Sequence, residues 1–201
     1  MIPEALSILF PPHCFGCKKE GVVLCERCLK LTRKSLGTPA PYIESCYDFR
    51  DPLIKRAIHA VKYKHRKELL QPLTLYATSL YSILKHTNKH VLVPIPMTRF
   101  RKLLRGYNHA EKIATILTAI SSIPTRADLL TRSKHTKRQA LSSKKEARLQ
   151  NQKGSFAAGN VSGLHIVLID DVTTTGATLE EARNTLLQAG AASVRACTLA
   201  H

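Results

Sequence analysis

The fold is decided by one stretch of the sequence, Val167-Leu168-Ile169-Asp170-Asp171-Val172-Thr173-Thr174-Thr175-Gly176-Ala177-Thr178. Three apolar residues predict a buried strand, two acids follow it, and a threonine-rich turn leads into an amphipathic helix. Gly176 permits a tight turn, and the threonine hydroxyls and the first N–H groups of the helix can donate to an anion. Because ligands of α/β proteins bind at the carboxyl ends of parallel strands, the stretch predicts a phosphate site formed by Val172, Thr173, Thr174, Thr175, Gly176, Ala177 and Thr178.

Asp170 and Asp171 are the candidate catalytic residues. Adjacent carboxylates at the end of a strand are costly unless something pairs with them. We therefore expect them to accept hydrogen bonds from the hydroxyls of a sugar, with one of them reaching a metal-bound water. The competing interpretation is an ordinary threonine-rich helix cap beside two solvated acids. The strand, acids, turn and helix occur in the order that a phosphate motif requires, which favours the first interpretation.

The rest of the chain predicts an α/β fold, a mostly parallel sheet with helices on both faces. Basic residues dominate the segment 133–153, which has almost no large apolar side chains and predicts a flexible loop. Apolar runs predict strands over residues 42–49, 91–96, 165–171 and 193–199, and helical spacing predicts helices after Asp51, over 69–84, from Asn108 and over 179–189.

The chain is strongly basic, with a formal net charge of +17 over 201 residues. The charge is concentrated between Arg99 and Lys153, where fourteen Lys or Arg oppose three Asp or Glu, a net of +11. Such a field suits a polyanionic partner, such as pyrophosphate, a nucleotide or a nucleic acid backbone. A solvated basic surface without a partner is the alternative interpretation.

Four of these cations follow the predicted strand 91–96 and are candidate pyrophosphate ligands. Arginine can bind phosphate oxygens in pairs, whereas lysine acts as a point charge. The alternative is a cationic surface loop before a helix. The candidate residues are Arg99, Arg101, Lys102 and Arg105.

The first residues lack the basic segment and cleavage site of a leader peptide, and no apolar run approaches the ~18 residues needed to cross a bilayer. We therefore expect a cytoplasmic protein without membrane insertion. In a reducing compartment the six cysteines are unsuited to a disulfide framework, so their spacing points to metal or redox chemistry.

Four cysteines form two CxxC knuckles in the pattern Cys14-x2-Cys17-x7-Cys25-x2-Cys28. This spacing predicts four thiolates around a structural zinc ion, with a redox-active CxxC pair as the alternative. A metal would also supply the folding energy of residues 1–40, which show little hydrophobic periodicity. We therefore expect a zinc-binding knuckle over residues 1–40 and a second domain over 41–201. The other two cysteines, Cys46 and Cys197, fall in predicted strands and are expected to be buried.

The acidic pair and the Thr-Gly turn resemble the signature that binds 5-phosphoribosyl-1-pyrophosphate (PRPP) in type I phosphoribosyltransferases. The chain as a whole resembles the ComF family, which is associated with natural competence. Arg105-Gly106-Tyr107-Asn108 matches that family's Arg-Gly-aromatic-Asn, and His109 departs from the glutamine usual at the next position. The markers that resemble those of the family's basic loop are Gln139, Arg148, Asn151 and Phe156.

The resemblance implies a type I phosphoribosyltransferase fold that binds PRPP with Mg²⁺. In such a site the two acids hold the ribose hydroxyls and the Thr-Gly turn holds the 5-phosphate. The association with competence implies single-stranded DNA and DNA-uptake proteins as partners.

Three functions stay open from the sequence. The first is phosphoribosyl transfer to an unknown acceptor with release of pyrophosphate, while the basic loop closes to exclude water. The second is a non-catalytic module that senses PRPP, binds DNA through stacking residues such as Phe100 and Tyr107, or acts as an adaptor. The third is nucleobase salvage, for which no persuasive set of base-reading residues is visible.

Overall fold

The computed structural model describes residues 11–77, 84, 90–133 and 154–201. The expected flexible loop over 133–153 lies almost entirely outside the described residues, together with Gln139, Arg148 and Asn151. In chain order the described helices are α1 (Glu26–Lys30), α2 (Pro52–Tyr63), α3 (Leu70–Leu75), α4 (Arg99–Arg105), α5 (His109–Ser121) and α6 (Ala177–Gln188), and the strands are β1 (Ile43–Tyr47), β2 (His90–Pro94), β3 (Leu130–Arg132), β4 (Phe156–Ala158), β5 (His165–Val172) and β6 (Ser193–Ala200).

Four strands form a parallel sheet in the order β1-β6-β5-β2. Beyond β2, residues 124–126 continue the sheet as a short parallel bridge, because the N–H of Leu92 donates to Pro124 and the carbonyl of Leu92 accepts from Arg126, each at 2.9 Å. Strands β2 and β5 are therefore internal, and their carboxyl ends lie side by side. The parallel sheet predicted from the sequence is confirmed.

The sheet is covered on both faces, which explains why its strands are apolar along most of their length. Along β5, Val167 and Ile169 point into one core, which contains residues of α2, α3 and α5. Ile166 and Leu168 point into the other core, which contains residues of α6, β3 and β4. This alternation is the two-residue period of a strand, and it gives a layered architecture of helix, sheet and helix.

The cationic segment after β2, for which a surface loop was the alternative interpretation, forms helix α4. The side chain of Thr98 accepts from the N–H of Arg101 at 3.3 Å and caps its first turn, and Gly106 ends the helix with φ +79°. No residue of α4 is buried, and Phe100, Leu103 and Leu104 are exposed. A short helix with no core-facing stripe has no periodicity that a sequence pattern can detect.

Of the helix predicted over residues 69–84, the structure shows a short helix at the start of the range. A 3-10 turn, Lys67–Leu69, leads into α3, which ends at Leu75. The later part of the prediction falls mainly on residues 78–83, outside the described residues.

An antiparallel pair, β3 with β4, was not expected from the sequence. Leu130 pairs with Ala158 and Arg132 pairs with Phe156. The two strands flank the undescribed residues 134–153 and pack on the α6 side of the sheet.

The N-terminal segment packs against the sheet rather than standing apart. Cys14, Leu24 and Leu29 are buried in the same core as Ile54 of α2. The division into residues 1–40 and 41–201 remains a prediction.

Cys46 and Cys197 are buried in β1 and β6, as expected. Within the described residues, no helix combines the length and apolar character that a membrane span requires.

Candidate functional site

A cavity of about 310 Å³ opens at the carboxyl ends of β2 and β5. Its position follows from the topology, because the loops that leave two adjacent parallel strands diverge there and leave a crevice. The cavity is polar and strongly cationic. Its lining includes the side chains of Lys62, Arg101, Arg105, Arg132, His109, Asp170, Asp171 and Thr178.

Asp171 is buried and held by three donors. Its Oδ1 accepts from Lys62 Nζ at 3.1 Å and from the N–H of Val172 at 2.7 Å. Its Oδ2 lies 3.0 Å from Nδ1 of His109, which is 1% exposed. Burial works to raise the pKa of Asp171, but the His109 hydrogen bond and the Lys62 charge outweigh it and lower that pKa. Asp171 is therefore ionised at neutral pH.

Asp170 differs from its neighbour in its surroundings. Its Oδ1 accepts from the N–H of Asp171 at 2.8 Å. Burial and then the charge of Asp171 raise the pKa of Asp170 to about 7, against the weaker effects of Lys62 and Arg132. The two acids are thus unequal, since one is firmly ionised and the other exchanges a proton near neutrality.

The turn after β5 opens α6 as the sequence predicts. Gly176 adopts φ +76°, and a Cβ at this position would lie 3.2 Å from side-chain atoms of Pro39 and Ile43, so both the backbone conformation and the close packing favour glycine. The buried Thr173 is fixed by its N–H, which donates to the Ala200 carbonyl at 3.1 Å. Thr174 and Thr175 are exposed. Of the predicted phosphate residues, Val172 and Thr178 line the cavity itself.

Helix α4 places only two of the four residues predicted to bind pyrophosphate at the cavity. Arg101 and Arg105 lie one turn apart and line the cavity. Arg99 and Lys102 do not line it, because they project from other faces of the same helix. The sequence alone could not separate these residues without knowing that the segment is helical.

Arg132, at the end of β3, completes the cationic wall and was not expected. Its Nε donates to the Pro96 carbonyl at 3.1 Å, and its guanidinium lies over the Phe156 ring, 4.9 Å from the centroid. Burial and then the charge of Arg101 lower the pKa of Arg132. Two guanidinium groups of like charge that line one cavity favour an anion between them.

Lys62, Tyr63 and His109 were also missed as site residues. Lys62 and Tyr63 end α2 beside the cavity, and neither carries a local motif. The departure of His109 from the family's glutamine was the available signal for that residue.

Asn108 explains the Arg-Gly-aromatic-Asn motif in structural terms. Its Oδ1 accepts from the N–H of Ala110 and caps α5, while its Nδ2 donates to the Ile95 carbonyl at 3.0 Å and to Glu111 at 3.2 Å. One buried side chain thereby fixes the end of β2 to the start of α5. The cavity wall between them is held in place by this contact.

The four cysteines of the knuckles come together at the other end of α2. Their Sγ atoms all lie within 4.8 Å of one another, with 3.8 Å between Cys14 and Cys28 and 3.7 Å between Cys17 and Cys25. Thiolates bound tetrahedrally at ~2.3 Å from zinc are about 3.8 Å apart. Backbone N–H groups outweigh burial and lower the pKa of Cys14 to about 6, whereas burial and the neighbouring thiols raise the pKa of Cys28 to about 12. The cluster therefore fits a metal ion of this kind.

Most of the chain matches a known protein family. The model of the phosphoribosyl transferase domain matches residues 77–201. The chain belongs to this family. The match covers most of the cavity lining, from β2 to β6, but not Lys62 and Tyr63 of α2. It confirms the phosphoribosyltransferase fold predicted from residues 167–178.

Three named relatives bear on the subfamily. Competence protein ComFC of Bacillus subtilis is 33% identical over 77% of this chain and 62% of its own length. Competence protein F of Haemophilus influenzae is 34% identical over 54% of this chain and 49% of its own. DNA utilization protein YhgH of Escherichia coli is 29% identical over 85% of this chain and 74% of its own. These relatives confirm the predicted membership of the ComF family, although the chain spans only about half to three quarters of their lengths.

Among solved structures, the glutamine PRPP amidotransferase from B. subtilis complexed with ADP and GMP matches 70% of this chain and 26% of that chain. The TM-score is 0.42 and the sequence identity is 17%.

Proposed function

We propose that the cavity binds PRPP with Mg²⁺ and that the chain is a phosphoribosyltransferase of the ComF family. The observation that carries the proposal is the sharing of one cavity by the Asp170–Asp171 pair, Thr178 at the start of α6, and the cationic wall. PRPP needs all three kinds of contact, because it joins a sugar to a phosphate at one end and a pyrophosphate at the other.

The phosphate end of the ligand would lie against the turn Thr173–Thr178. The hydroxyl of Thr178 and the first N–H groups of α6 are suitable donors there, and the positive end of a twelve-residue helix favours a dianion. The acids lie immediately before this turn and are therefore within reach of the ribose.

The pyrophosphate end would meet Arg101, Arg105 and Arg132. Their guanidinium groups suit paired contacts with phosphate oxygens, and an anion would relieve the repulsion between Arg101 and Arg132. Mg²⁺ bound to the pyrophosphate would neutralise charge that develops on the leaving group.

In the proposed reaction, a nucleophilic acceptor forms a bond to C1 of the ribose as the bond from C1 to pyrophosphate breaks. The ribose carries positive charge during this exchange, and the ionised Asp171 supplies a fixed negative charge nearby. Pyrophosphate leaves with the electron pair of the broken bond, held by the arginine wall.

The four-cysteine cluster would hold a structural zinc ion. Four thiolates leave no open position for a substrate, so the metal would serve folding rather than catalysis. None of the six cysteines forms a disulfide, which suits the reducing environment of the cytoplasm, where we expect the chain to act.

Calorimetry with Mg-PRPP tests the ligand, and pyrophosphate release tests turnover. We expect binding that is lost in Asp170→Ala plus Asp171→Ala, and the ligand assignment is wrong if that double variant binds normally. Pyrophosphate release on adding nucleobases would indicate salvage. Binding without release for any acceptor would indicate a sensing module instead.

A role in handling single-stranded DNA is the second candidate. The relatives' names refer to competence and DNA utilization, and the net charge of +17 favours a polyanion. Phe100 is 70% and Tyr63 62% exposed beside Arg101 and Arg105, so both can stack on bases. Tyr107 suits this role less well, because its hydroxyl is buried.

Titration of a single-stranded oligonucleotide at several salt concentrations tests this candidate. A linear fall of log affinity with log salt supports backbone binding, and no binding at low salt removes the candidate. If the chain instead docks on DNA-uptake proteins through the cysteine knuckle, chelation of the metal should abolish docking and spare PRPP binding.

A further inference from the structure

The two acids of the cavity differ in how many of their oxygens are already used. Both oxygens of Asp171 are occupied, Oδ1 by Lys62 and the N–H of Val172, and Oδ2 by His109. An ionised carboxylate offers about four acceptor positions, so three protein donors leave Asp171 little capacity for a ligand. Asp171 is 9% exposed, which limits access further.

Asp170 has the opposite character. Its Oδ1 accepts one hydrogen bond, from the N–H of Asp171, and its Oδ2 has no partner among the described residues. Asp170 also lines the cavity. A carboxylate oxygen without a protein donor at the wall of a polar cavity is suited to accept from a ligand hydroxyl.

His109 determines this difference through its Nδ1. Since an ionised carboxylate can only accept, Nδ1 of His109 must carry the hydrogen that it shares with Asp171. The ring is 1% exposed, and its edge-on contact with Tyr107, with 5.0 Å between centroids, restricts its rotation. The other nitrogen, Nε2, is buried and has no partner in the described part of the chain. The ring is therefore oriented by the single hydrogen bond to Asp171.

We propose that His109 is a positioning residue which, with Lys62, keeps Asp171 from contacting the ligand and leaves Asp170 as the carboxylate that accepts from the ribose hydroxyls. The inference rests on the proposed function, because it assumes that a ribose phosphate occupies the cavity. It goes further in making the two adjacent acids unequal. Asp170 contacts the sugar, and Asp171 acts through the charge that His109 and Lys62 hold in place.

Two pairs of variants test the proposal by calorimetry with ribose 5-phosphate and, separately, Mg-pyrophosphate. Asparagine can offer a donor near the position of Nδ1, whereas leucine fills the space without one. Hydrogen bonds to charged groups are each worth about a tenfold to hundredfold change in an equilibrium constant. We expect His109→Leu to weaken ribose 5-phosphate at least about tenfold with little effect on Mg-pyrophosphate, and His109→Asn to restore most of the affinity.

The acids themselves form the second pair. Asp170→Asn is expected to weaken ribose 5-phosphate about tenfold more than Asp171→Asn does. On the wild-type protein, nitrogen-15 NMR of the histidine rings should show the hydrogen of His109 on Nδ1. This measurement does not depend on binding or on the folding of any variant.

Several results would overturn the proposal: equal losses for the two aspartate variants, no rescue by His109→Asn, equal losses for both ligands in His109→Leu, or a hydrogen found on Nε2 alone. Failure of the proposed function looks different, because the wild-type protein would then bind neither ribose 5-phosphate nor Mg-PRPP. That outcome removes the ribose assignment, while the NMR measurement still decides whether His109 holds Asp171.

Discussion

The carboxylate of Asp51 accepts a hydrogen bond from the backbone N–H of Arg33, at 3.1 Å and across eighteen residues of sequence. Its other oxygen accepts from the first N–H groups of α2, at Leu53 and Ile54. One buried side chain thus caps a helix and fastens the segment that follows the cysteine cluster.

Replacing Asp51 should destabilise the protein in two steps. Asp51→Ala removes the cap and the acceptor for Arg33, with an expected loss of about 2 to 3 kcal/mol in the free energy of unfolding. Asp51→Asn keeps one oxygen for the cap and should lose only about 1 kcal/mol. Urea denaturation measures both values, and equal losses in the two variants would exclude this double role.

Removal of the proposed zinc ion should affect more than the cysteine knuckle. We expect one zinc ion per chain by metal analysis. Because Cys14, Leu24 and Leu29 share a core with Ile54, chelation should also increase hydrogen exchange in α2. Cys17→Ser should lower the zinc content, whereas Cys46→Ala, outside the cluster, should not. Unchanged exchange in α2 after chelation would show that the two parts are independent.

The raised pKa of Asp170 predicts that wild-type stability has a pH-dependent cost at this site. The folded chain keeps a proton up to a pH of about 7, whereas the unfolded chain releases it near the ordinary pKa of 3.8. The folded state therefore binds more protons between these values, and its stability falls as the pH rises through that window.

Asp170→Asn should remove this cost. We expect the variant to be more stable than the wild type at pH 8, by on the order of 1 to 2 kcal/mol, with a much smaller gain at pH 4. Asp171→Asn is the matched control with the opposite sign. Its carboxylate has a lowered pKa and stabilises the folded state above pH 3.8, so its loss should destabilise at pH 8. Melting temperatures at the two pH values provide the comparison.

Replacement of Gly176 by alanine should destabilise the protein, and Gly163 serves as a control that separates backbone strain from side-chain contact. Gly176 and Gly163 both have positive φ, +76° and +70°, but a Cβ at Gly163 would meet nothing within 4 Å. Both alanine variants should lose about 1 kcal/mol from backbone strain. Gly176→Ala should lose more, through contact with Pro39 and Ile43, and it alone should weaken Mg-PRPP binding in calorimetry.

Helix α4 provides an internal control for the cationic wall. Arg101→Gln and Arg105→Gln should each weaken Mg-pyrophosphate about tenfold or more, because each removes a charged donor from the cavity. Arg99→Gln and Lys102→Gln remove the same charge from the same helix outside the cavity, and they should change affinity about twofold or less in moderate salt. Similar losses in all four variants would indicate a diffuse electrostatic effect.

The elements that the sequence predicts well are those with an apolar face. Helix α5 was expected from Asn108 and from an apolar spacing of five residues: Ala110, Ile113, Ile116, Leu117 and Ile120. Three of them are buried and Ile116 is half-buried, whereas Ile120 is exposed. The apolar run of β5 likewise predicts an internal strand. Helix α4 contacts no core, and β3 and β4 have three residues each, so neither type of element carries a readable period.

Site residues could be predicted only where they lie close together in the sequence and form a motif. Asp170, Asp171 and Thr178 form one motif. Lys62 reaches Asp171 from α2, more than one hundred residues away, and it occupies a position that also suits a solvated lysine. Only the parallel pairing of strands, which brings distant loops to one edge, reveals such a contact.

The position of β6 between β1 and β5 bears on biosynthesis. Strand β1 pairs only with β6 among the described strands, and the hydroxyls of Ser45 and Thr198, 2.5 Å apart, join the two. Because translation starts at the N-terminus, β1 leaves the ribosome long before its pairing strand β6 is synthesised. During that interval the edge of β1 can pair with other chains, so a nascent chain arrested before residue 193 should depend on chaperones for its solubility.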